Sequence, residues 1–258
     1  AVVVVAILLD KNPMTLFAGL GATSAVLMLV FKDTISGLAA GVRLTSNDML
    51  HKGDWITVKS VDANGIVEDM SLTTVKVRNF DNTIVTISPT TLVNGSFQNW
   101  IGMQKSGGRR VKRVVYFDFR SVRLVDETLK RNLLAKHFAT EDSFKLKESL
   151  QKAIDKDIQE GKDIEDLKNP AALAPTNLQL YRKFMEKYLR QRPEVNTDLT
   201  LMVRHMEATQ CGLPIEFYFF IKDKVWVNYE HILADIMEHA YALANEFGLK
   251  IYEQYPEQ

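Results

Sequence analysis

Two groups of side chains in the C-terminal part of the sequence have the residue types that metal binding or nucleophilic catalysis uses. His231, Asp235 and His239 recur every four residues, which would present two imidazoles and a carboxylate on one side of a helix. Apolar residues occupy the other side of that helix, so we expect the three to form its solvated face instead. Cys211 lies near His205, but the sequence indicates no third group to orient such a pair. We therefore expect neither group to be a catalytic or metal site.

A basic cluster follows two aromatic residues at the end of a predicted β domain: Arg109, Arg110, Lys112 and Arg113. Some RNA-binding β domains have this appearance. The chain contains 32 basic and 32 acidic residues, so no net charge attracts nucleic acid, and we expect no nucleic-acid partner. We expect these cations to pair with carboxylates or to face solvent.

The sequence contains no motif of an enzyme class that depends on a short signature. It has no phosphate-binding glycine loop, nucleophile elbow or metalloprotease motif, and its single cysteine cannot form an internal disulfide. The prediction is a protein that is not an enzyme and that needs no cofactor.

The most informative element is an uncharged apolar run at residues 14–31, MTLFAGLGATSAVLMLVF. As a helix it is about 27 Å long, close to the hydrocarbon thickness of a bilayer, and we predict a membrane-spanning helix. Its small residues include Ala18, Gly21, Ala22 and Ala25. Small residues allow the backbones of neighbouring helices to approach closely, so the run is predicted to pack against copies of itself.

The flanks of this run predict its orientation. Residues 1–9 are also apolar and precede a polar turn at residues 10–13, so residues 1–31 are interpreted as the end of one span, a periplasmic turn and a second span. The basic residues Lys32, Arg43 and Lys52 follow the run and place its C-terminal end in the cytoplasm. We expect further spans upstream in a longer protein.

The pattern after the run predicts a change of direction. Residues 32–50 resume a helical pattern after Lys32 and Asp33, and Asp33 is suited to cap a new helix. We predict a bend there, followed by an amphipathic helix that lies at the membrane surface or packs beneath the first helix. Periodicity alone allows one continuous helix equally well.

Two soluble domains are predicted beyond residue 50. Residues 51–108 contain short alternating segments separated by turn residues at 62–65 and 80–82, which predicts a small open β barrel. Residues 109–258 mix strand and helix periods and predict a ferredoxin-like α+β domain with a charged insertion at about 141–169.

Several segments together resemble a known family. FKDTISGLAAGVRLTSNDMLHKGDWITV and LTTVKVRNFDNTIVTISPTTLVNGSFQNW are similar to the small-conductance mechanosensitive channel (MscS) family, most closely to its miniconductance branch with an enlarged C-terminal domain. The resemblance is strong over residues 19–113 and continues through TLMVRHMEATQCGLPIEFYFF.

The resemblance implies a homoheptamer in the bacterial inner membrane, with the helix at residues 14–31 lining a pore and with an Sm-like β domain and an α+β domain forming a cytoplasmic cage. It implies apolar rings at Ala25 and Leu29 that constrict the pore. Met28 is bulky where the family commonly has glycine, and Asp33 stands where a glycine often provides the bend. Lys32, Asp33 and Gly41 are then assigned to the bend and the cytoplasmic mouth.

The predicted function is a channel that membrane tension opens and that protects a bacterial cell against hypoosmotic shock. A hydrophobic constriction at Leu29, with Ala25 or Met28, would exclude water in the closed state. Membrane lipids and permeating ions are the expected partners. The alternative is a membrane-anchored scaffold or sensor whose soluble domains bind a ligand or RNA.

Overall fold

The chain divides into two compact units, Ala1–Gly102 and Met103–Gln258, and each is described by itself. A computed structural model describes residues 12–145, 159 and 174–254. The predicted span at residues 1–9, the first half of the turn at residues 10–13 and most of the charged insertion lie outside these residues.

A single helix, α1, opens the first unit and spans Pro13–Ser46. The break predicted at Lys32 and Asp33 is not present, so Asp33 lies inside a helix and is not an N-cap. The physical reason is local: residues 30–36 contain neither proline nor glycine, and continuing an existing helix costs less than nucleating a new one. The alternative of one continuous helix is the observed one.

The rest of the first unit is a five-stranded antiparallel sheet with the strand order β4-β3-β2-β1-β5. Its strands are β1 (Trp55–Val58), β2 (Ala63–Met70), β3 (Val75–Asn79), β4 (Ile84–Ile87) and β5 (Gln98–Asn99), and a short helix α2 (Pro89–Asn94) precedes β5. The four alternating segments of the sequence are β1 to β4. The alternation places Ile56, Val67 and Val77 in one core, where each is at most 1% exposed.

One predicted turn is displaced. The Asn64-Gly65 pair indicates a hairpin turn, but both residues lie in β2, and the chain turns through Lys59–Val61 and Asp62, whose φ is 51°. The Asn64 Oδ1 atom accepts hydrogen bonds from Trp55 Nε1 and from Thr57 Oγ1, each at 3.0 Å. These cross-strand bonds use Asn64 within the ladder and shift the turn towards the N-terminus.

The second unit begins within the short helix α3 (Ile101–Lys105) and pairs three antiparallel strands in the order β6-β8-β7. The strands are β6 (Arg109–Phe117), β7 (Met202–His205) and β8 (Leu213–Ile221), and the helices are α4 (Glu127–Ala135), α5 (Asn177–Gln191) and α6 (Trp226–Glu246). Beyond α6, Ile251 forms an isolated antiparallel bridge with Phe117 of β6. The described residues thus form an α+β unit, as predicted, and the ferredoxin-like assignment stays a prediction.

Buried polar groups join the helices of this unit. The Tyr181 hydroxyl of α5 donates to the Ala240 carbonyl of α6 at 2.6 Å, and burial raises the pKa of Tyr181. The Asn177 side chain, 0% exposed, donates to the carbonyl oxygens of Ser121 and Phe247 at 2.9 and 3.1 Å. These bonds fix the helix ends because an unpaired buried amide would cost about 1–3 kcal/mol.

We predict that Gly65→Ala destabilises the first unit. A Cβ atom at Gly65 would overlap the Arg78 carbonyl oxygen and approach Asn79 Cα to 2.6 Å, so β2 and β3 would have to separate. We expect the free energy of unfolding to fall by about 2 kcal/mol or more, measured by urea unfolding. Gly102→Ala is the control, because nothing lies within 4 Å of a Cβ there. Equal stability of the two variants would contradict the tight pairing of β2 and β3.

Candidate pore helix

The start of α1 is capped by the residue before it. The Asn12 side chain accepts a hydrogen bond from the Met14 backbone N–H at 2.9 Å, and Pro13 occupies the first helical position. Farther along, the Thr23 hydroxyl donates to the Gly19 carbonyl at 2.9 Å. This bond satisfies a polar group inside the helix, as an apolar environment requires.

The last turns of α1 are seated in the β-sheet unit. Ala40 is 4% exposed and Leu44 is 0% exposed, and Leu44 belongs to the same core as Ile56 and Leu92. Leu50, 1% exposed, extends that core beyond the helix end. The C-terminal end of α1 is therefore held by the core of the sheet and is not a flexible tether.

Gly41 provides the closest approach in this seat. A Cβ atom there would overlap the carbonyl oxygen of Leu72 and lie 3.0 Å from the Leu72 carbonyl carbon. Leu72 lies between β2 and β3. Because only glycine leaves room for that carbonyl, Gly41 fixes where the β2–β3 connection meets α1.

The preceding part of α1 is exposed and apolar. Six consecutive side chains are between 52% and 73% exposed: Val26, Leu27, Met28, Leu29, Val30 and Phe31. One helix segment among the described residues, Phe17–Ser46, is long and apolar enough to cross a membrane. Because these side chains cover all sides of the helix, a single copy in water would expose a large apolar surface to solvent.

The predicted pore residues lie in this exposed part. Ala18, Ala22, Ala25 and Leu29 follow an i, i+4, i+7, i+11 spacing and share one stripe of α1, and Leu29 is the one large side chain in it. Gly21 lies beside the stripe, and Met28, Lys32 and Asp33 are also exposed. Gly41 instead packs against the sheet unit. The roles of these residues in a pore stay predictions.

The other groups of the sequence do not come together as a reactive site. His231, Asp235 and His239 are exposed along α6, and the described residues include no group of three His, Cys, Asp or Glu residues that could hold a metal. The His239 Nδ1 atom is 2.7 Å from the Asp235 backbone oxygen. Cys211 is exposed, and its backbone N–H donates to Thr209 Oγ1 at 3.2 Å.

The basic cluster is divided between two faces of β6. The Arg109 guanidinium lies 4.3 Å from the centre of the Tyr229 ring, and Lys112 Nζ lies 3.6 Å from Glu216 Oε1. The expected pairing of a cation with a carboxylate is thus present for Lys112.

Sequence reasoning missed the residues that seat α1: Ala40, Leu44 and Leu72. The only signal for them in the sequence is the small-residue run at residues 39–41, which permits a close contact but does not say with what.

The family model of the mechanosensitive ion channel β-domain matches residues 33–102, which include the end of α1 and the whole five-stranded sheet. The small-conductance channel MscMJ of Methanocaldococcus jannaschii is 34% identical over 84 residues, covering 33% of this chain and 23% of that protein. The large-conductance channel MscMJLR of the same organism is 30% identical over 129 residues, covering 50% of this chain and 35% of that protein.

Residues 33–102 carry the β-domain of the mechanosensitive ion channels, and the chain is similar to proteins of the MscS family. Its matches span only about a quarter to a third of those two MscS relatives. Among solved structures, Arabidopsis thaliana MSL1 has a TM-score of 0.64 at 11% identity, covering 96% of this chain and 69% of that chain. Helicobacter pylori MscS in its closed state has a TM-score of 0.58 at 14% identity, covering 96% and 73%. These two likenesses support an MscS-like fold, and the miniconductance assignment stays a prediction.

We predict that Gly41→Ala and Gly37→Ala have opposite effects. Alanine favours a helix over glycine by about 1 kcal/mol, and nothing lies within 4 Å of a Cβ at Gly37, so Gly37→Ala should be neutral or stabilising. At Gly41 the overlap with Leu72 should exceed that gain and lower the free energy of unfolding by about 1–3 kcal/mol. Thermal unfolding of the two variants side by side measures the difference, and a stabilised Gly41→Ala would show that α1 is not seated on Leu72.

Proposed function

We propose that this chain is the subunit of a channel opened by membrane tension, in which copies of α1 surround a pore. The observation that carries the proposal is the contrast within α1. Its last turns are packed into the hydrophobic core of the five-stranded sheet, whereas the side chains from Val26 to Phe31 are more than half exposed. Lipid and neighbouring copies are the surroundings that would cover such a helix while its base stays fixed.

The proposed gate is the stripe that contains Leu29. When copies of α1 stand around an axis with this stripe inward, Ala18, Ala22 and Ala25 let the helices approach, and Leu29 narrows the space. A narrow apolar ring loses its water, so ions meet a dehydration barrier and the pore is closed without a plug. Met28 and Ala25 flank this ring.

Tension acts through the area of the assembly in the bilayer plane. A stretched bilayer favours the state with the larger area, so it shifts the balance between two packings of α1. Lipids bias the same balance wherever they contact one packing better than the other. Because the base of each helix is seated on its own sheet unit, movement is expected above Ala40 and not at the seat.

We further propose that the assembly is a homoheptamer and a multi-pass protein of a bacterial inner membrane, where it releases solutes after hypoosmotic shock. The channel relatives and the soluble units that follow α1 support this proposal. Lys32 and Asp33, at the cytoplasmic end of the exposed segment, would contact permeating ions with opposite charges.

We predict that Leu29→Ser lowers the tension threshold or makes the channel leak. The change removes about 1.5–3 kcal/mol of apolar burial for each copy and wets the ring. Even about 1.4 kcal/mol per assembly changes the closed-to-open ratio about tenfold. Patch recordings of purified protein in liposomes measure the threshold.

The matched control is Leu27→Ser, because Leu27 lies on nearly the opposite side of α1. The proposal expects a smaller effect there. Equal thresholds in wild type and Leu29→Ser would remove Leu29 from the gate. No stretch-activated current in the wild type, together with a stable membrane protein, would favour the scaffold or sensor.

We predict that Ala22→Leu disturbs assembly or lowers the threshold, because a larger side chain in the stripe forces neighbouring helices apart and so favours the packing with the larger area. The subunit count in detergent and the threshold in liposomes are the measurements. Leu20→Ala serves as a control for composition, since Leu20 is outside the stripe. Unchanged assembly and gating in Ala22→Leu would show that this stripe faces lipid.

A further inference from the structure

The three-stranded sheet of the second unit has one face turned away from the core. Its core face holds Val111, Val203 and Phe217, each 0% exposed. Side chains alternate along a strand, so the residues between them lie on the other face. We name this the basic sheet face, and it includes Arg110, Lys112, Tyr116, Arg204, Glu216 and Tyr218.

This face is positively charged and aromatic. Glu216 is 0% exposed; its Oε2 accepts a hydrogen bond from Arg204 Nε at 2.6 Å, and Lys112 Nζ lies 3.6 Å from its Oε1. Both cations remain half-exposed, and the hydrogen bond from Arg204 is the main cause of a lowered pKa for the Glu216 carboxyl. The Arg110 guanidinium lies 6.0 Å from the Tyr218 ring centre. Three cations against one carboxylate leave a positive surface.

The outer face of α6 has the opposite character. The helix Trp226–Glu246 contains no lysine or arginine. Its buried side holds Leu233, Ile236 and Ala240, and the opposite side exposes Ala234, Asp235, Glu238, Tyr241 and Ala242. We name those five the acidic helix face. The small side chains of its two alanines would allow the helix to pack closely against a sheet.

The two faces point in opposite directions within one unit. The Tyr229 hydroxyl of α6 donates to the Arg110 carbonyl at 3.0 Å, so the inner side of α6 packs on the core side of the sheet. Their lengths also match. A nine-residue strand and a 21-residue helix are each about 30 Å long.

We propose that the acidic helix face of one copy docks on the basic sheet face of the next copy. The two surfaces differ, so the contact is head-to-tail and repeats around a ring when its rotation closes. This proposal rests on the proposed function, which requires an oligomer. It adds the two surfaces through which the second units of neighbouring copies would associate. We assign a second copy of this chain as the partner of the basic sheet face, because the acidic helix face of α6 is opposite in charge and similar in length and shape.

Cysteine cross-linking of the full chain in liposomes tests the contact. In a Cys211→Ser background, Arg110→Cys combined with Glu238→Cys should give an oxidant-dependent ladder of linked subunits up to the full ring. Either cysteine alone should give no ladder beyond dimers. Arg110→Cys combined with Lys183→Cys is the control pair and should give none, because Lys183 is an exposed residue of α5 outside both faces.

Charge reversal provides an independent readout. Arg110→Glu and Glu238→Arg should each lower the fraction of intact assemblies after heating by about threefold, and the double variant should restore it, because the pair then attracts again. Additive loss in the double variant would overturn the proposed contact.

The outcomes separate this inference from the proposed function. A wild-type protein that is monomeric and carries no stretch-activated current would overturn the proposed function itself. An assembled, tension-gated channel without the ladder would overturn the contact alone. Binding of an acidic peptide or single-stranded RNA by the assembled channel, lost in Arg110→Glu, would show that the basic sheet face is open to another partner and would also overturn it.

Discussion

The structure of the first unit depends on the seat of α1 in the β-sheet core. Leu44 and Ala40 are buried there, and Gly41 brings the helix backbone against the Leu72 carbonyl. Without this seat, the long apolar helix would be joined to the sheet only by a connection of a few residues. With it, the base of the helix shares the core of the sheet, and the proposed gating movement would take place in the exposed segment.

The exposed segment makes an isolated copy unfavourable in water. Its side chains from Val26 to Phe31 would each contribute a free-energy gain if lipid or a neighbouring helix covered them. The assembly in a bilayer that we propose would cover them. The second unit has two faces of opposite charge on opposite sides, and the proposed contact between copies would use both of them.

Much of the secondary structure could be predicted because the burial pattern is periodic along the chain. The alternation in β1 to β4 and the apolar stripes of α5 and α6 each have the period of their element. The errors arose where two local signals competed. Lys32 and Asp33 look like a helix end and a new cap, but no residue there interrupts the helical hydrogen bonds. Asn64 and Gly65 look like a turn, but Trp55 and Thr57 hold Asn64 in the ladder.

The sequence by itself determined the apolar span, its stripe of small residues and the order of strands and helices, because these depend on residue types at fixed spacing along one segment. Only the tertiary structure decided that Gly41 meets Leu72 and that Glu216 is buried between Arg204 and Lys112. Those contacts join residues far apart in the chain. Which distant carbonyl or charge meets a side chain is set by strand register and helix packing, and neither is encoded in local periodicity.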